Sequence, residues 1–545
     1  MFQEWVPRSF SCLKRYNLTL FKKDLAAGLT VGVVALPLAM AFGIASGVSP
    51  EKGIFTAIVA GFLISLLGGS TVQIGGPTGA FVVIIYDVLQ RTGTDGLALA
   101  TLFAAFLLIL FSLCRMGSWI KYVPYPLITG FTGGIAFLIF SSQLKDFFGL
   151  QVGPDSKGFL FEWQLYCEHC DKINVLSLGV GIMTLLFIYF FRKFLPKIPW
   201  GIASLICVTS LTIFFALPVP TIYSKFGTLP SSLPAISLPN LYVPFEKLSE
   251  VIRDGFTIAF LGGIESLLSA VVADGMLGTR HKSNCELLAQ GVANFGSVLF
   301  GGIPATGAIA RTATNVKSGA QTPVAGMIHA VTLWIILLCL SPLVSKIPLP
   351  SLSAILIVVA WNMSELPHFI RLVRHFNADT IILLASFSLT VFVDITVAIM
   401  VGMVLASFLF MKKMSLSCQA LPFPMAPSDL PPIEILEKKH IPKHVEVYEL
   451  QGPFFFGSAD ILQNLIDNLT VLPKVFILRM RQVPLIDASG LQALKEFSEQ
   501  CKKKHIALFL SDAKGQTKKE LESLKYIHVF SHLEQALTEA RKLVE

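Results

Sequence analysis

The feature that most constrains this chain is a series of apolar stretches long enough to cross a bilayer, which requires about 20 apolar residues per helix. Clear spans cover 97–113, 175–191, 198–217, 328–343 and the run 380–411, which is long enough for two spans. The same criterion places spans near 25–46, 52–69, 125–144, 255–274, 283–300 and 348–361. Two shorter stretches, 77–90 and 307–317, follow glycine and proline. Together these stretches predict an α-helical polytopic membrane protein with fourteen segments.

The C-terminal quarter of the chain has a different composition. Residues 1–413 contain 27 Lys+Arg and 19 Asp+Glu, whereas residues 414–545 contain 16 of each. The tail is therefore about 24% charged, as soluble domains are, and the rest is about 11% charged. The whole net charge of +8 belongs to the membrane part, so no nucleic-acid partner is expected. We predict a cytoplasmic N-terminal segment at 1–24, a membrane domain at 25–413, a linker at 414–441 and a soluble domain at 442–545.

The distribution of basic residues predicts the orientation. With the N-terminus inside and fourteen segments, 17 Lys+Arg flank the inner side and nine flank the outer side. Cytoplasmic loops carry this excess in membrane proteins. We therefore predict a multi-pass protein of the cell (inner) membrane, with the lipid bilayer around it and both termini in the cytoplasm.

An internal repeat divides the membrane domain. G-G-P-T-G-A at 75–80 returns as G-G-I-P-A-T-G-A at 301–308, an offset of roughly 228 positions. Nearly the same offset relates Asp24, at the start of the first span, to Asp254, at the start of the eighth. Two copies of seven segments that start on opposite sides form an inverted repeat, an arrangement that places a binding site at the bilayer midplane.

The two repeated motifs predict an anion site. Helices that begin inside the membrane have unpaired N–H groups and about half a positive charge at their N-termini. We expect Pro77 and Pro304 at their first turns, and an anion between them that takes hydrogen bonds from Thr78, Thr306 and backbone amides near Gly76. The alternative is a pair of packing kinks.

Two of the ionisable residues in the predicted spans are candidates for the site. Arg311 costs roughly 3 kcal/mol to insert, so it should face the anion or form an ion pair with Glu265. Glu265 has Ser269 one turn along its helix and could carry a proton or coordinate sodium. The repeat offset matches Glu265 with Ala35, so this carboxylate is not a symmetric feature of the fold. Pro37 predicts a break in the first span, with Phe42 on the cavity side.

The tail is predicted to be a compact α/β domain. Apolar runs at 445–450, 475–478 and 506–510 are typical of buried strands, and 459–468, 489–502 and 533–543 have helical spacing. The chain has no metal-ligand cluster, phosphate loop or Ser/His/Asp arrangement, so we predict a protein that is not an enzyme and holds no metal or cofactor. A lone pair, Cys167 and Cys170, favours a local disulfide or free thiols over zinc.

The chain resembles the sulfate permease (SulP/SLC26) family of anion transporters along nearly its whole length. The similar segments are L-P-L-A-M-A-F-G-I-A-S-G-V-S-P in the first span, G-G-P-T-G-A, and A-D-G-M-L-G-T-R-H-K-S-N-C-E-L-L-A-Q-G-V-A-N through G-G-I-P-A-T-G-A-I-A-R-T. In the tail, I-D-A-S-G-L at 486–491 is similar to the signature of STAS domains. The resemblance implies core and gate subdomains that move as an elevator, and a homodimer.

The same resemblance implies roles for particular residues. The anion would lie between the third and tenth segments, against Phe81 and Ala308, Ala310 and Arg311, with Leu38 and Phe42 lining the pocket. Family members coupled to sodium have Asp with Thr one turn on, whereas this chain has Glu265 and Ser269, which favours proton coupling. A serine that is phosphorylated in related domains is replaced here by Ala488.

We therefore predict a secondary active transporter of a small anion (sulfate, bicarbonate or a dicarboxylate) that works by proton symport. The alternatives are sodium-coupled bicarbonate symport, an anion channel or exchanger, a nucleobase permease of related fold, and a membrane-anchored regulatory module. A positive residue beside two helix N-termini disfavours a neutral nucleobase as substrate.

Overall fold

The structure, a computed structural model, describes most of the chain, in two compact units, residues Met1–Met403 and Val404–Glu545. The described residues are 4–13, 16–150, 159–195, 198–232, 236, 239, 244–423, 441–467, 471–522 and 527–545. Most of the predicted linker, residues 424–440, lies outside them.

Helices account for all fourteen predicted segments. The helices of the first repeat are α2 (Leu18–Ala45), α3 (Pro50–Leu67), α4 (Gly79–Leu113), α5 (Tyr125–Phe148), α7 (Val175–Phe194) and α8 (Trp200–Phe214). Shorter helices accompany them: α1 (Arg8–Leu13) precedes α2, α6 (Phe159–Glu168) lies between α5 and α7, and α9 (Ile222–Phe226) follows α8. The helices of the second repeat are α10 (Phe245–Leu277), α11 (Ser283–Leu299), α12 (Ile309–Lys317), α13 (Val324–Val344), α14 (Leu349–Met363), α16 (Ala378–Phe392) and α17 (Ile395–Leu416), with α15 (Leu366–Arg374) between α14 and α16. In the described part of the chain, nine helices are long and apolar enough to cross a membrane.

Helix α4 contains two of the fourteen segments. Gly93 interrupts it with φ 75° and ψ −170°, a conformation in the left-handed half of the map that glycine adopts at little cost. The short segment predicted at 77–90 and the span predicted at 97–113 are thus the two halves of α4. In the long run 380–411, the predicted turn lies between α16 and α17, where Asp394 accepts a hydrogen bond from the Thr396 amide at 2.7 Å.

The predicted break at Pro37 is wrong. Helix α2 continues through Pro37 from Leu18 to Ala45, and Pro37 is buried within it. A proline inside a membrane helix is tolerated where neighbouring helices and side chains satisfy the freed backbone groups.

The membrane helices form two groups. Helices α2, α3, α4, α10, α11, α12 and α13 pack mainly on one another, and α5, α7, α8, α14 and α16 do the same. Helix α17 belongs to the second group, because its Gly402 lies against Leu127 of α5 and Ser386 of α16. The groups correspond to the predicted core and gate subdomains. One polar contact between them is a hydrogen bond of 3.0 Å joining the hydroxyls of Thr257 and Thr396.

Two buried aspartates tie the repeats together in a crossed pattern. Asp24 of α2 accepts hydrogen bonds from the amides of Gln321 and Thr322, at 2.8 and 3.1 Å, in the turn before α13. Asp254 of α10 binds Arg91 at 3.0 Å, just before the break in α4. The same separation relates 24 to 254 and 91 to 321, so the inverted repeat is visible in these contacts as well as in the sequence.

The C-terminal unit is an α/β domain with a five-stranded sheet. Strands β3 (Gln419–Pro422), β4 (Val445–Gln451), β5 (Val475–Gln482), β6 (Ala507–Ser511) and β7 (His528–Phe530) lie side by side in that order, and only β3 is antiparallel to its neighbour. Helices α18 (Asp460–Asp467), α19 (Ala488–Lys503) and α20 (Gly515–Glu522) pack on one face and α21 (Leu533–Val544) packs on the other. The Asp487 carboxylate accepts a hydrogen bond from the Gly490 amide at 2.7 Å and so caps α19.

Candidate anion-binding site

The two repeated motifs meet as a two-stranded antiparallel ribbon. Strand β1 (Gly75–Gly76) pairs with β2 (Thr306–Gly307), and the Ala308 amide donates to the Ile74 carbonyl at 2.8 Å. Helix α4 begins at Gly79, shortly after β1, and α12 begins at Ile309, shortly after β2. The predicted convergence of the two half-helices is therefore confirmed by main-chain hydrogen bonds.

The prolines of the two motifs do not occupy the predicted first turns. Pro77 precedes Thr78, the N-cap of α4, and Pro304 lies four residues before Ala308, the N-cap of α12. Both prolines belong to the extended stretches that lead into the helices. A missing N–H is tolerated there as well, because neither proline occupies a paired position of the ribbon.

Gly76 leaves room for the charged group of the site. Its φ of +144° is one that residues with side chains rarely adopt, and a Cβ atom there would lie 2.7 Å from Nη1 of Arg311. Only glycine lets the guanidinium group approach the ribbon this closely.

Arg311 points into the ribbon from the first turn of α12. Its side chain is 3% exposed, and its Nη2 donates to the carbonyl of Pro77. The other terminal nitrogen, Nη1, is buried and has no hydrogen-bond partner among the described residues. An unpaired buried donor on a cation is costly unless a ligand satisfies it, so Nη1 is the strongest indication of an anion at this point.

Glu265 approaches the same motif from α10. It is 8% exposed, and its Oε2 accepts a hydrogen bond from Thr78 Oγ1 at 3.1 Å. Within the described residues it forms no ion pair with Arg311, so that alternative is wrong. Instead, two adjacent residues of the first repeat separate the two charges, because Pro77 accepts from Arg311 and Thr78 donates to Glu265.

Two other candidate hydroxyls are engaged in the protein. Thr306 Oγ1 donates to the Gly262 carbonyl at 2.9 Å and contacts Ser266 Oγ at 2.7 Å. The Ser269 hydroxyl contacts Thr312 Oγ1 at 3.0 Å. Both side chains are fully buried. In this state Thr306 joins the ribbon to α10 and Ser269 joins α10 to α12. Their predicted roles toward anion and cation stay predictions.

The predicted walls of the pocket differ in accessibility. Phe42 and Phe81 are 5% and 1% exposed, and the Phe81 ring lies against Gly262. Ala308 is buried as the N-cap of α12, whereas Ala310 is exposed and Leu38 is half-buried. Open surface is therefore found at Leu38 and at the first turn of α12.

Sequence reasoning missed a polar network that surrounds the ribbon. Gln73 donates to the Ser266 carbonyl at 3.1 Å, and the Ile74 amide donates to Thr312 Oγ1 at 3.0 Å. Asn294 of α11 both donates to and accepts from Ala305, at 2.8 Å each. One signal in the sequence could have revealed this network. Polar side chains inside apolar spans are energetically costly unless they form hydrogen bonds within the protein, so each one indicates a buried partner.

A cavity of about 640 Å³, lined by charged as well as apolar side chains, opens between the two helix groups on the predicted outer side. Asp87 and Arg91 line it from α4, Lys145 from α5, and Glu162 and Tyr166 from the surface helix α6. Burial raises the pKa of Glu162, and the nearby Lys145 ammonium opposes this rise. The cavity gives the predicted outer side of the membrane domain an open approach between core and gate.

These features define a class of protein: a membrane transporter built from an inverted repeat, with broken helices that meet in its core. Residues 21–386 match the model of the sulfate permease family, and residues 436–540 match that of the STAS domain. The chain belongs to the sulfate permease family.

Similar proteins cover the chain nearly end to end. It is 41% identical to the putative sulfate transporter YvdB of Bacillus subtilis, with 94% of this chain and 96% of that protein covered. It is 30% identical to the bicarbonate transporter BicA of Picosynechococcus, with 92% and 90% covered. The structure of SLC26A9 superposes with a TM-score of 0.84 over 98% of this chain and 92% of that one, at 19% identity, which shows a shared fold.

Proposed function

We propose that this protein is a secondary active transporter that imports a small oxyanion, sulfate or bicarbonate, together with a proton. The observation that carries the proposal is the arrangement at the ribbon, where a buried guanidinium nitrogen without a partner lies beside two helix N-termini. Two relatives support the substrate class, one named as a putative sulfate transporter and the other as a bicarbonate transporter. A dicarboxylate has the same kind of oxygen atoms and belongs in the same substrate panel.

The proposed mechanism begins with charge. An oxyanion at Nη1 of Arg311 would complete the hydrogen bonds of the guanidinium group, and Glu265 would repel it as long as that side chain is ionised. Removing one negative charge near the anion is worth about 1–4 kcal/mol at the effective dielectric constants of protein sites. Protonated Glu265 and bound anion therefore stabilise one another, and this coupling makes the two ligands travel together.

The proposed movement is an elevator. The ribbon and the two crossed aspartate contacts join both repeats within the core helices, so a bound anion would move with the core as one body. The Thr257–Thr396 hydrogen bond between core and gate would break during this movement. We also propose a homodimer in the cell membrane with both termini cytoplasmic, in keeping with the excess of basic residues on the inner side.

Sodium is the alternative coupling ion. It would require oxygen ligands around Glu265, and the nearest candidate along the helix, Ser269, has its hydroxyl on Thr312. This contact favours the proton, which needs no further ligand.

The test is uptake of labelled sulfate and bicarbonate into proteoliposomes. We expect accumulation when an inward pH gradient is imposed without sodium, and no added accumulation from a sodium gradient at constant pH. Unitary currents without accumulation would show a channel, and accumulation driven by sodium alone would replace the proton. Absence of transport with a functional soluble domain would indicate a regulatory module.

A further inference from the structure

A short surface helix, α15, connects two membrane segments of the gate. Along this helix only Phe369 and Leu372 are half-buried. The Phe369 ring packs edge-on against Phe387 of α16 with centroids 5.4 Å apart, and the Leu372 carbonyl accepts a hydrogen bond from Thr380 Oγ1 at 2.8 Å. One face of α15 is thus fixed to the helix bundle, and the remaining faces are exposed.

The exposed side of α15 borders a groove of about 730 Å³. Trp361, at the end of α14, is 67% exposed and Ile370 is 41% exposed, and both line the groove. Phe376, directly after the helix, is 75% exposed. Apolar side chains this exposed beside two membrane segments indicate a surface in contact with lipid, and Trp is enriched at the level of the headgroups.

Two arginines lie at the same groove. Arg371 and Arg374 occupy the last turn of α15 and line the cavity. Among the described residues neither has a carboxylate partner, and the Glu365 carboxylate at the start of the helix accepts a hydrogen bond from the Tyr125 hydroxyl at 3.1 Å. A guanidinium group can donate two parallel hydrogen bonds to two oxygens of one phosphate group. This end of the groove is therefore suited to a phosphate group.

We propose that the groove between Trp361 and Arg374 binds an anionic phospholipid, with its phosphate on Arg371 and Arg374 and its acyl chains along Trp361 and Ile370. The proposal rests on the proposed topology, which places α15 at the inner membrane surface. On the opposite surface, α6 carries Glu162 and Glu168 and no basic residue, so the two surface helices should differ in their lipid preference. Each arginine near an anionic leaflet adds to the attraction.

The experiment measures quenching of tryptophan fluorescence by brominated lipids in proteoliposomes of the full chain. Brominated phosphatidylglycerol is compared with brominated phosphatidylcholine at equal mole fraction, and the difference between the wild type and Trp361→Phe isolates the signal of Trp361. We expect phosphatidylglycerol to associate about five- to tenfold more strongly, and less so at high salt. The double variant Arg371→Gln/Arg374→Gln should lose the preference.

Lys518→Gln/Lys519→Gln removes the same charge from an exposed helix of the soluble domain and should keep the preference. Equal quenching by both lipids in the wild type would overturn the proposal, and so would a preference that survives in the arginine variant. Inorganic phosphate that competes as well as the lipid would show a site for a free anion. Quenching by neither lipid would show that protein, such as a second copy, covers the groove. The readout does not depend on transport, and the salt dependence of the wild type tests the proposal even if the arginine variant does not fold.

Discussion

The two repeats have matching folds and contribute different chemistry to the site between them. The first repeat contributes Gly76, Thr78 and the rings of Phe42 and Phe81, none of which is ionisable. The second contributes both charges, Glu265 and Arg311, and the position that matches Glu265 is the fully buried Ala35. The repeat symmetry thus accounts for the meeting of the two half-helices, whereas the charges of the candidate site, and the proposed proton coupling, depend on residues that only one repeat has.

The largest expected effect concerns Arg311. Replacing it with Gln keeps hydrogen-bond donors and removes the charge, so anion uptake well below saturation should fall about 100-fold or more, in line with a few kcal/mol of lost attraction. Lys317→Gln removes a charge from the exposed end of the same helix and should leave uptake near normal. The measurement is the initial rate of labelled-anion uptake. Equal losses in the two variants would mean that Arg311 has no specific role in binding the anion.

The next effect concerns Glu265, the proposed coupling group. Glu265→Gln imitates the protonated carboxyl, so uptake should persist down an anion gradient while accumulation driven by a pH gradient falls at least about tenfold. Glu246→Gln, at the exposed start of the same helix, should retain both. Full proton-driven accumulation by Glu265→Gln would refute the proposed coupling role of Glu265. Proton coupling would then no longer distinguish the second repeat from the first.

The two threonines at matching positions should separate function from folding. Thr78→Val removes one buried hydrogen bond, to Glu265, so the pH dependence of uptake should shift while the loss of thermal stability stays smaller than in Thr306→Val. Thr306→Val removes two buried hydrogen bonds and should cost about 1–3 kcal/mol of stability. The measurements are the melting temperature and the pH profile of uptake for both variants. Identical phenotypes would contradict the division of roles between the two threonines.

The smallest effect separates the two crossed aspartates. Asp24 accepts hydrogen bonds from Gln321, Thr322 and Tyr16 while fully buried, so Asp24→Asn should cost about 1–3 kcal/mol. Asp254 is buried as well, but its partner Arg91 is partly exposed and also pairs with Asp87 at 2.7 Å, so Asp254→Asn should cost less than Asp24→Asn. Thermal unfolding of both variants measures the difference, and a larger loss for Asp254→Asn would reverse the ranking.

The sequence predicted the architecture because hydrophobic length and a repeat offset are properties of the chain itself. The fourteen segments, the pairing of 75–80 with 301–308 and the strands at 445–450 and 475–478 follow from such patterns. The two-residue strands β1 and β2 could not be predicted, because no periodicity exists over two residues and the pairing depends on their approach across the fold.

The remaining misses concern tertiary context. Pro37 predicted a break, but packing inside the core lets α2 continue. Helix α15 was missed because a criterion of membrane-spanning length does not detect an amphipathic helix of nine residues. The sequence identifies Glu265 and Arg311 as candidates because a charged side chain inside a membrane is energetically costly. It does not show that Pro77 and Thr78 separate the two charges, because that depends on how the two repeats meet in the fold.

The ribbon of β1 and β2 has a consequence for how such a molecule evolves. A gene that arose by duplication lets its halves diverge, yet Gly75, Gly76, Thr306 and Gly307 face one another across a single ladder. A bulkier side chain at Gly76 would collide with the arginine that the other half contributes. At these four positions, a substitution in one half is tolerated only if the residue that faces it in the other half leaves room for it.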